Sequence, residues 1–274
     1  MVIRFILLIG FVLLQHAGFT QKTASEWNKI GIHKYNHEDY SGAIKAYSKA
    51  LELDENRAYL YNNRGNAYLK LLKFNLAIAD FSTSIQLDPD DVTGYFNRGG
   101  AYLNNKQFKE AIKDYSQVIS LDPTDKVALV QRGKVKIKMK AYKKAIKDFD
   151  LALALDKYYI TALLYRGIAK NLSNDFENAI RDLSKVIKYD SLNVQAYYHK
   201  GLAKLGMGNY GGARKEFTKA IQIDPQNKNA FYKRGVAYYD SGSASKACKD
   251  WKKAEELEHE LASLTIEKYC NSSK

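Results

Sequence analysis

Two adjoining stretches decide the architecture: Tyr61–Lys70 (YNNRGNAYLK) and Ala77–Pro89 (AIADFSTSIQLDP). The first carries Gly65, the second Ala77 and Phe81, and Pro89 closes the pair. Each of these residues returns at intervals of 34. Glycine occupies 31, 65, 99, 133, 167, 201 and 235, and alanine follows twelve residues later at 43, 77, 111, 145, 179, 213 and 247. A third column is large or aromatic: Tyr47, Phe81, Tyr115, Phe149, Leu183, Phe217 and Trp251. All three prolines, Pro89, Pro123 and Pro225, share one further column. A fixed period of this length is the mark of a stacked-repeat architecture.

The spacing has a physical reading. Small residues in the glycine and alanine columns let two helices approach closely. The large column lies four residues after the alanine, on the same helical face. Proline lacks an N–H and restricts the residue before it, so the LDP phrases stop a helix. Each unit therefore reads as helix A, a short turn, helix B and a stop.

These columns resemble those of the tetratricopeptide repeat family, whose 34-residue unit places Gly, aromatic, Ala, aromatic, small and Pro at fixed phases. The resemblance covers residues 24–261 as seven repeats: 24–57, 58–91, 92–125, 126–159, 160–193, 194–227 and 228–261. It implies an all-α solenoid in which the helix pairs stack into a right-handed superhelix. Helix A lines a concave groove and helix B forms the convex side, with stability residing in nearest-neighbour interfaces. Residues 262–274 continue the helical pattern as a capping helix. The proline column departs from the family pattern at Glu55, Lys157, Ser191 and His259. The aromatic three after the glycine is replaced by Lys34, Lys136, Lys170 and Lys204.

The remaining composition narrows the function classes. The chain has 274 residues, 46% hydrophobic and 27% charged, with a formal net charge of +13. That is enough chain for a packed core, and two cysteines exclude a disulfide-dense scaffold or a multi-cysteine zinc site. Residues 1–20 read as a secretory signal: Arg4, then the apolar run Phe5–Leu14, then QHAGFT. The run is shorter than the about 20 residues a spanning helix needs. Cleavage falls near Thr20–Gln21, the alternative being an uncleaved anchor. The expected location is exported: periplasmic, envelope-associated or secreted.

The residue before the glycine is basic in six repeats (Arg64, Arg98, Arg132, Arg166, Lys200, Arg234), and sixteen residues on comes an acid (Asp80, Asp114, Asp148, Asp182, Glu216, Asp250). Repeat one lacks both, with Ile30 and Ala46 instead. The joint absence predicts a structural salt bridge between helices A and B of one repeat; independently solvated columns are the alternative. Cys248 and Cys270 lie eleven residues either side of His259. In an antiparallel helix hairpin they face each other, as a disulfide or as two buried thiols. The phrases Ala247–Trp251 and Lys268–Cys270 resemble the ending of many exported tetratricopeptide proteins of Gram-negative envelopes.

Binding is expected on helix A. The column two before the glycine contains Asn63, Asn97 and Gln131, an amide ladder able to hold an extended peptide backbone. Asn62 and Asn66 belong to the same end, and the neighbouring column adds Phe96, Tyr198 and Tyr232, a passage from polar to aromatic. The alternative for the asparagines is solvation or bonding within the repeat. Some members of the family hold a partner's C-terminal carboxylate; the matching positions here are Asn62, Asn66 and Asn97, then Val127 and Gln131 where a basic pair belongs, so that clamp is incomplete. On helix B a basic stripe holds Lys45, Lys113, Lys147, Arg181, Lys215 and Lys249. It suits an acidic polysaccharide or lipid surface, or is a solubilising face. There is no P-loop, HExxH or nucleophile elbow, so no catalytic residue, metal or cofactor is expected. Neither nucleic acid nor a small-molecule substrate is expected. The expected role is a non-catalytic scaffold binding a protein or peptide in the groove, with polyanion or membrane-surface binding as the alternative.

Overall fold

The computed structural model describes residues 22–270, and the signal reading for residues 1–20 lies outside them. Fifteen helices and no strand are found among the described residues. The A helices are α1 (Ala24–Asn36), α3 (Ala58–Lys70), α5 (Val92–Asn104), α7 (Lys126–Lys138), α9 (Ile160–Leu172), α11 (Val194–Gly206) and α13 (Lys228–Asp240). The B helices are α2 (Tyr40–Leu53), α4 (Phe74–Leu87), α6 (Phe108–Leu121), α8 (Tyr142–Leu155), α10 (Phe176–Tyr189), α12 (Tyr210–Ile223) and α14 (Ala244–Glu256), and α15 (Ala262–Cys270) follows.

Every helix packs on the next in the chain. The A helices of neighbouring repeats also touch, α1 with α3, α3 with α5, α7 with α9, α9 with α11 and α11 with α13. No comparable contact joins neighbouring B helices among the described residues. The solenoid therefore bends with the A helices on its inner side.

The glycine and aromatic columns form the joint within each repeat. A Cβ on Gly65 would stand 2.7 Å from Phe81, and one on Gly201 2.6 Å from Phe217. Both rings are fully buried, so the glycine lets the ring lie on the backbone of helix A. In repeats four to six the interfaces merge into one apolar cluster running from Leu129 to Ala203.

Turn chemistry completes each unit. The A–B turns pivot on a left-handed residue at 34-residue intervals: Glu38, Leu72, Lys106, Lys140, Asn174, Gly208 and Gly242. In the first six repeats helix B stops at an aspartate, and in five of them its carboxylate accepts a backbone N–H two residues on. Asp122 takes Thr124 N, Asp156 takes Tyr158 N and Asp190 takes Leu192 N. The second and third of these turns contain no proline, so the aspartate ends the helix where Lys157 or Ser191 replaces it.

At the far end, α15 packs on α14. Cys248 and Cys270 form a disulfide that closes a loop of 22 residues. Constraining a loop of that length stabilises by about 3 kcal/mol. Reduction, or Cys248→Ser with Cys270→Ser, is expected to speed amide exchange in α15 and leave α1–α8 unchanged. Exchange in α15 that ignores reduction would contradict this.

Candidate functional site

The inner side is built on the A helices. Asn63, Asn97, Gln131, Tyr165 and His199 are all partly exposed in the column two before the glycine. Asn63 donates from Nδ2 to Asn28 Oδ1 at 3.0 Å, joining α1 to α3. A recess of about 300 Å³ lies there, with Ile32, Tyr35 and Tyr47 as its apolar part and Asn63 and Asn66 as its amides. Burial raises the Tyr47 phenol to about 12, so it remains a neutral hydroxyl at ordinary pH.

The neighbouring column behaves differently. Asn62 is buried; its Nδ2 donates to Ser84 Oγ at 3.0 Å and to Asp91 Oδ2 at 2.8 Å, the latter the N-cap of the next A helix. Val130 and Leu164 are buried in the same column. Phe96 packs edge-on against Tyr115, and Tyr198 packs on Phe217. Tyr232 stacks on His259 at 4.1 Å and its hydroxyl meets Thr265 Oγ1 at 3.1 Å. Asn62 reaches the following repeat and Tyr232 reaches α15, whereas Phe96 and Tyr198 pack on the B-helix rings of their own repeats. One residue is about 100° of helical rotation, enough to separate an inner surface from an inter-repeat seam. Of the expected peptide contacts, Asn62 is buried; Asn63, Asn66, Asn97 and Gln131 are partly exposed, as are Phe96, Tyr198 and Tyr232, which also pack on neighbouring rings.

The charged columns lie beside this surface. Arg64 meets Asp80, Arg98 meets Asp114, Arg132 meets Asp148 and Arg234 meets Asp250 at 2.7–2.8 Å. Arg166 meets Asp182 at 2.7 Å and Lys200 meets Glu216 at 3.4 Å. All six acids are buried. Their carboxylates hold the guanidinium groups of Arg64, Arg98 and Arg234 still further above the ordinary arginine value.

Two features of this network escaped sequence reasoning. The arginine's remaining donor reaches back to the preceding repeat: Arg64 to Ser48, Arg98 to Ser82, Arg132 to Ser116, Arg166 to Asp150 and Arg234 to Thr218. Each arginine thus stitches its own two helices and one seam. The signal was a polar column sixteen residues before the arginine. Secondly, three of the four lysines that replace the aromatic after the glycine join the same acid, Lys136 on Asp148, Lys170 on Asp182 and Lys204 on Glu216, while Lys34 in the acid-less first repeat pairs with Asp39.

His199 is the one strongly shifted imidazole of the inner column. Burial pushes it down to about 4. Its folded value lies below the unfolded one near 6.5, so the unfolded chain binds the proton first as pH falls. The neutral form's stabilisation is complete above 6.5 and is lost on the way to 4, up to about 3 kcal/mol. Urea unfolding at pH 7 and pH 4.5 should show a larger acid loss for the natural protein than for His199→Gln. Equal losses would show that this imidazole does not carry the effect.

His33 and His37 have ring centroids 4.2 Å apart, but no group of three or more potential metal ligands occurs among the described residues. No helix of the described residues is long and apolar enough to cross a membrane. The B-helix lysine stripe, Lys45 through Lys249, is exposed.

Comparison with known proteins agrees with this geometry. Tetratricopeptide repeat profiles match residues 58–91, 92–125 and 127–159, and TPR repeat profiles match 35–71 and 201–242, together more than half the chain. Over 70 residues, 26% of this chain, the sequence is 33% identical to the lipoprotein NlpI homolog of Haemophilus influenzae; that match spans 22% of the relative's own length. A tetratricopeptide repeat protein from Parabacteroides merdae superposes with a TM-score of 0.74 at 19% identity, covering 90% of this chain and 99% of that one. YrrB, a TPR protein with an unusual peptide-binding site, superposes with a TM-score of 0.57 at 22% identity, covering 68% of this chain and 96% of that one.

Proposed function

Because this chain belongs to the tetratricopeptide repeat family, a family of generally non-catalytic protein-interaction scaffolds, we propose that it holds an extended peptide or protein segment along its A helices. The observation that carries this is the recess bounded by Asn63 and Asn66 over Ile32, Tyr35 and Tyr47, continued by the partly exposed Asn97 and Gln131. An amide side chain both donates and accepts, so a ladder of them pairs with peptide backbone without reading its sequence. The apolar floor gives one ligand side chain a place to bury. YrrB's description as a peptide binder supports the reading.

The setting we propose is a bacterial envelope. The signal-like first twenty residues, the disulfide and the short likeness to a lipoprotein support it. The test begins with affinity capture from envelope extract, followed by titration of the identified peptide. Asn63→Ala with Asn97→Ala is expected to weaken binding about tenfold or more, with little dependence on salt. Unchanged affinity for the verified partner would reject the ladder.

The exposed stripe of Lys45, Lys113, Lys147, Arg181, Lys215 and Lys249 favours a second reading, contact with an acidic polysaccharide or lipid surface. Such binding falls steeply with ionic strength, which separates it from groove binding.

A further inference from the structure

Each repeat hands over to the next through a short B–A turn, and these turns line one edge of the array. At the tip of the turn most repeats carry a polar residue: Asn56, Asp90, Thr124, Gln226. Repeats four and five carry Tyr158 and Leu192 instead, 56% and 70% exposed. The same neighbourhood exposes Leu151, Leu155 and Tyr189. Leu151 stands in a column otherwise filled by Lys49, Thr83, Gln117, Lys185, Lys219 and Lys253. The Tyr158 and Tyr189 rings meet at 5.6 Å, which joins the exposed apolar residues of turn four to those of turn five. Local replacement of polar by apolar residues in two columns, beside a column that is apolar in every repeat up to the sixth, marks a surface made to be covered.

The charges say what covers it. Lys157 lies over the Tyr158 ring, and Lys185 and Lys188 are exposed nearby. Asp156 and Asp190 turn a carboxylate oxygen into the turn backbone, and the other oxygen of Asp156 pairs with Lys126 at 2.6 Å. The patch is therefore apolar and basic. Three repeats toward the N-terminus, the same edge is apolar and acidic: Leu53 and Leu87 are 44% and 39% exposed, among exposed Glu52, Glu55, Asp88 and Asp90, the exposed Arg57 being paired with Asp54. Acidic turns one and two and basic turns four and five are equally spaced about turn three, where Asp122 and Asp125 are bound to local backbone amides.

We propose that this edge is a two-fold interface between two copies of the chain running antiparallel, turn one opposite turn five and turn two opposite turn four. A two-fold axis through turn three then sets Asp88 and Asp90 of one copy against Lys157 of the other, and Glu55 against Lys188, while Tyr158 and Leu192 bury against Leu87 and Leu53. Isologous contacts of this kind need a surface complementary to itself. A parallel pairing would oppose like charges. The acidic turns on the same edge oppose docking on an anionic lipid surface. The interface is separate from the A-helix surface and independent of its ligand.

Sedimentation equilibrium of the full chain tests this. A dimer is expected that loosens between low and high salt. Tyr158→Ser with Leu192→Ser, Lys157→Glu with Lys188→Glu, and Glu55→Lys with Asp88→Lys and Asp90→Lys are each expected to weaken it about tenfold or more, with unchanged circular dichroism. An equimolar mixture of the two charge-reversed proteins should dimerise again, because each reversed patch then meets its complement. A chain that stays monomeric at about 100 µM, a concentration at which weak contacts of about 5–6 kcal/mol are populated, overturns the proposal. So does a dimer indifferent to these substitutions, failure of the mixture to recover, or vesicle binding lost with Tyr158 and Leu192 in a monomeric protein.

Discussion

Asp114→Ala is expected to destabilise the central repeats by about 3–5 kcal/mol, because it strands a charge. Asp114 is almost fully buried and accepts both the Nε and Nη2 donors of Arg98 at 2.8 Å. With the acid gone, Arg98 keeps only Ser82 among these partners, and its guanidinium has no counter-charge. The loss comes from the partner left behind rather than from the net strength of the pair. Arg98→Ile combined with Asp114→Ala recreates the Ile30 and Ala46 arrangement of repeat one and should cost less than the single substitution. Asp148→Ala should cost at least as much as Asp114→Ala, since Asp148 holds both Arg132 and Lys136 and Arg132 then keeps only the neutral Ser116. The readout is urea unfolding with hydrogen exchange, because arrays need not unfold in one step. A double variant as unstable as the single one would show that lost packing, not stranded charge, is the cause.

Phe149→Ala should have an effect of the same size, about 3–5 kcal/mol, for an apolar reason. Phe149 is fully buried in the apolar cluster of repeats four to six. Its ring occupies the space that a Cβ on Gly133 would enter at 2.5 Å. Removing the ring leaves a cavity beside a glycine, which has no side chain to fill it. Phe149→Leu should cost about 1–1.5 kcal/mol, since repeat five already uses Leu183 there. The same unfolding assay decides it: equal losses for alanine and leucine would mean that ring volume is not what the joint requires.

The fold was legible because its determinants are local and repeated. A glycine column at 31 to 235 and a ring column at 47 to 251 define helix, joint and period without knowledge of anything distant. The cation–acid columns could also be read, because repeat one omits both members. The inner surface was half legible. Asn63 and Asn62 are neighbours of the same type, yet one edges a recess and the other is buried against Ser84 and Asp91. The third link of each arginine was missed because Ser48, Ser82 and Ser116 read as ordinary polar helix residues.

Sequence by itself therefore determined the unit, its number and its internal joint, since each depends on residues that are close along the chain and recur at one phase. Tertiary structure alone decided which helix faces look inward, which disappear into a seam and which exposed turns share an edge. Those outcomes depend on the rotation of one repeat on the next. That rotation arises from the packing of whole faces and is carried by no single column.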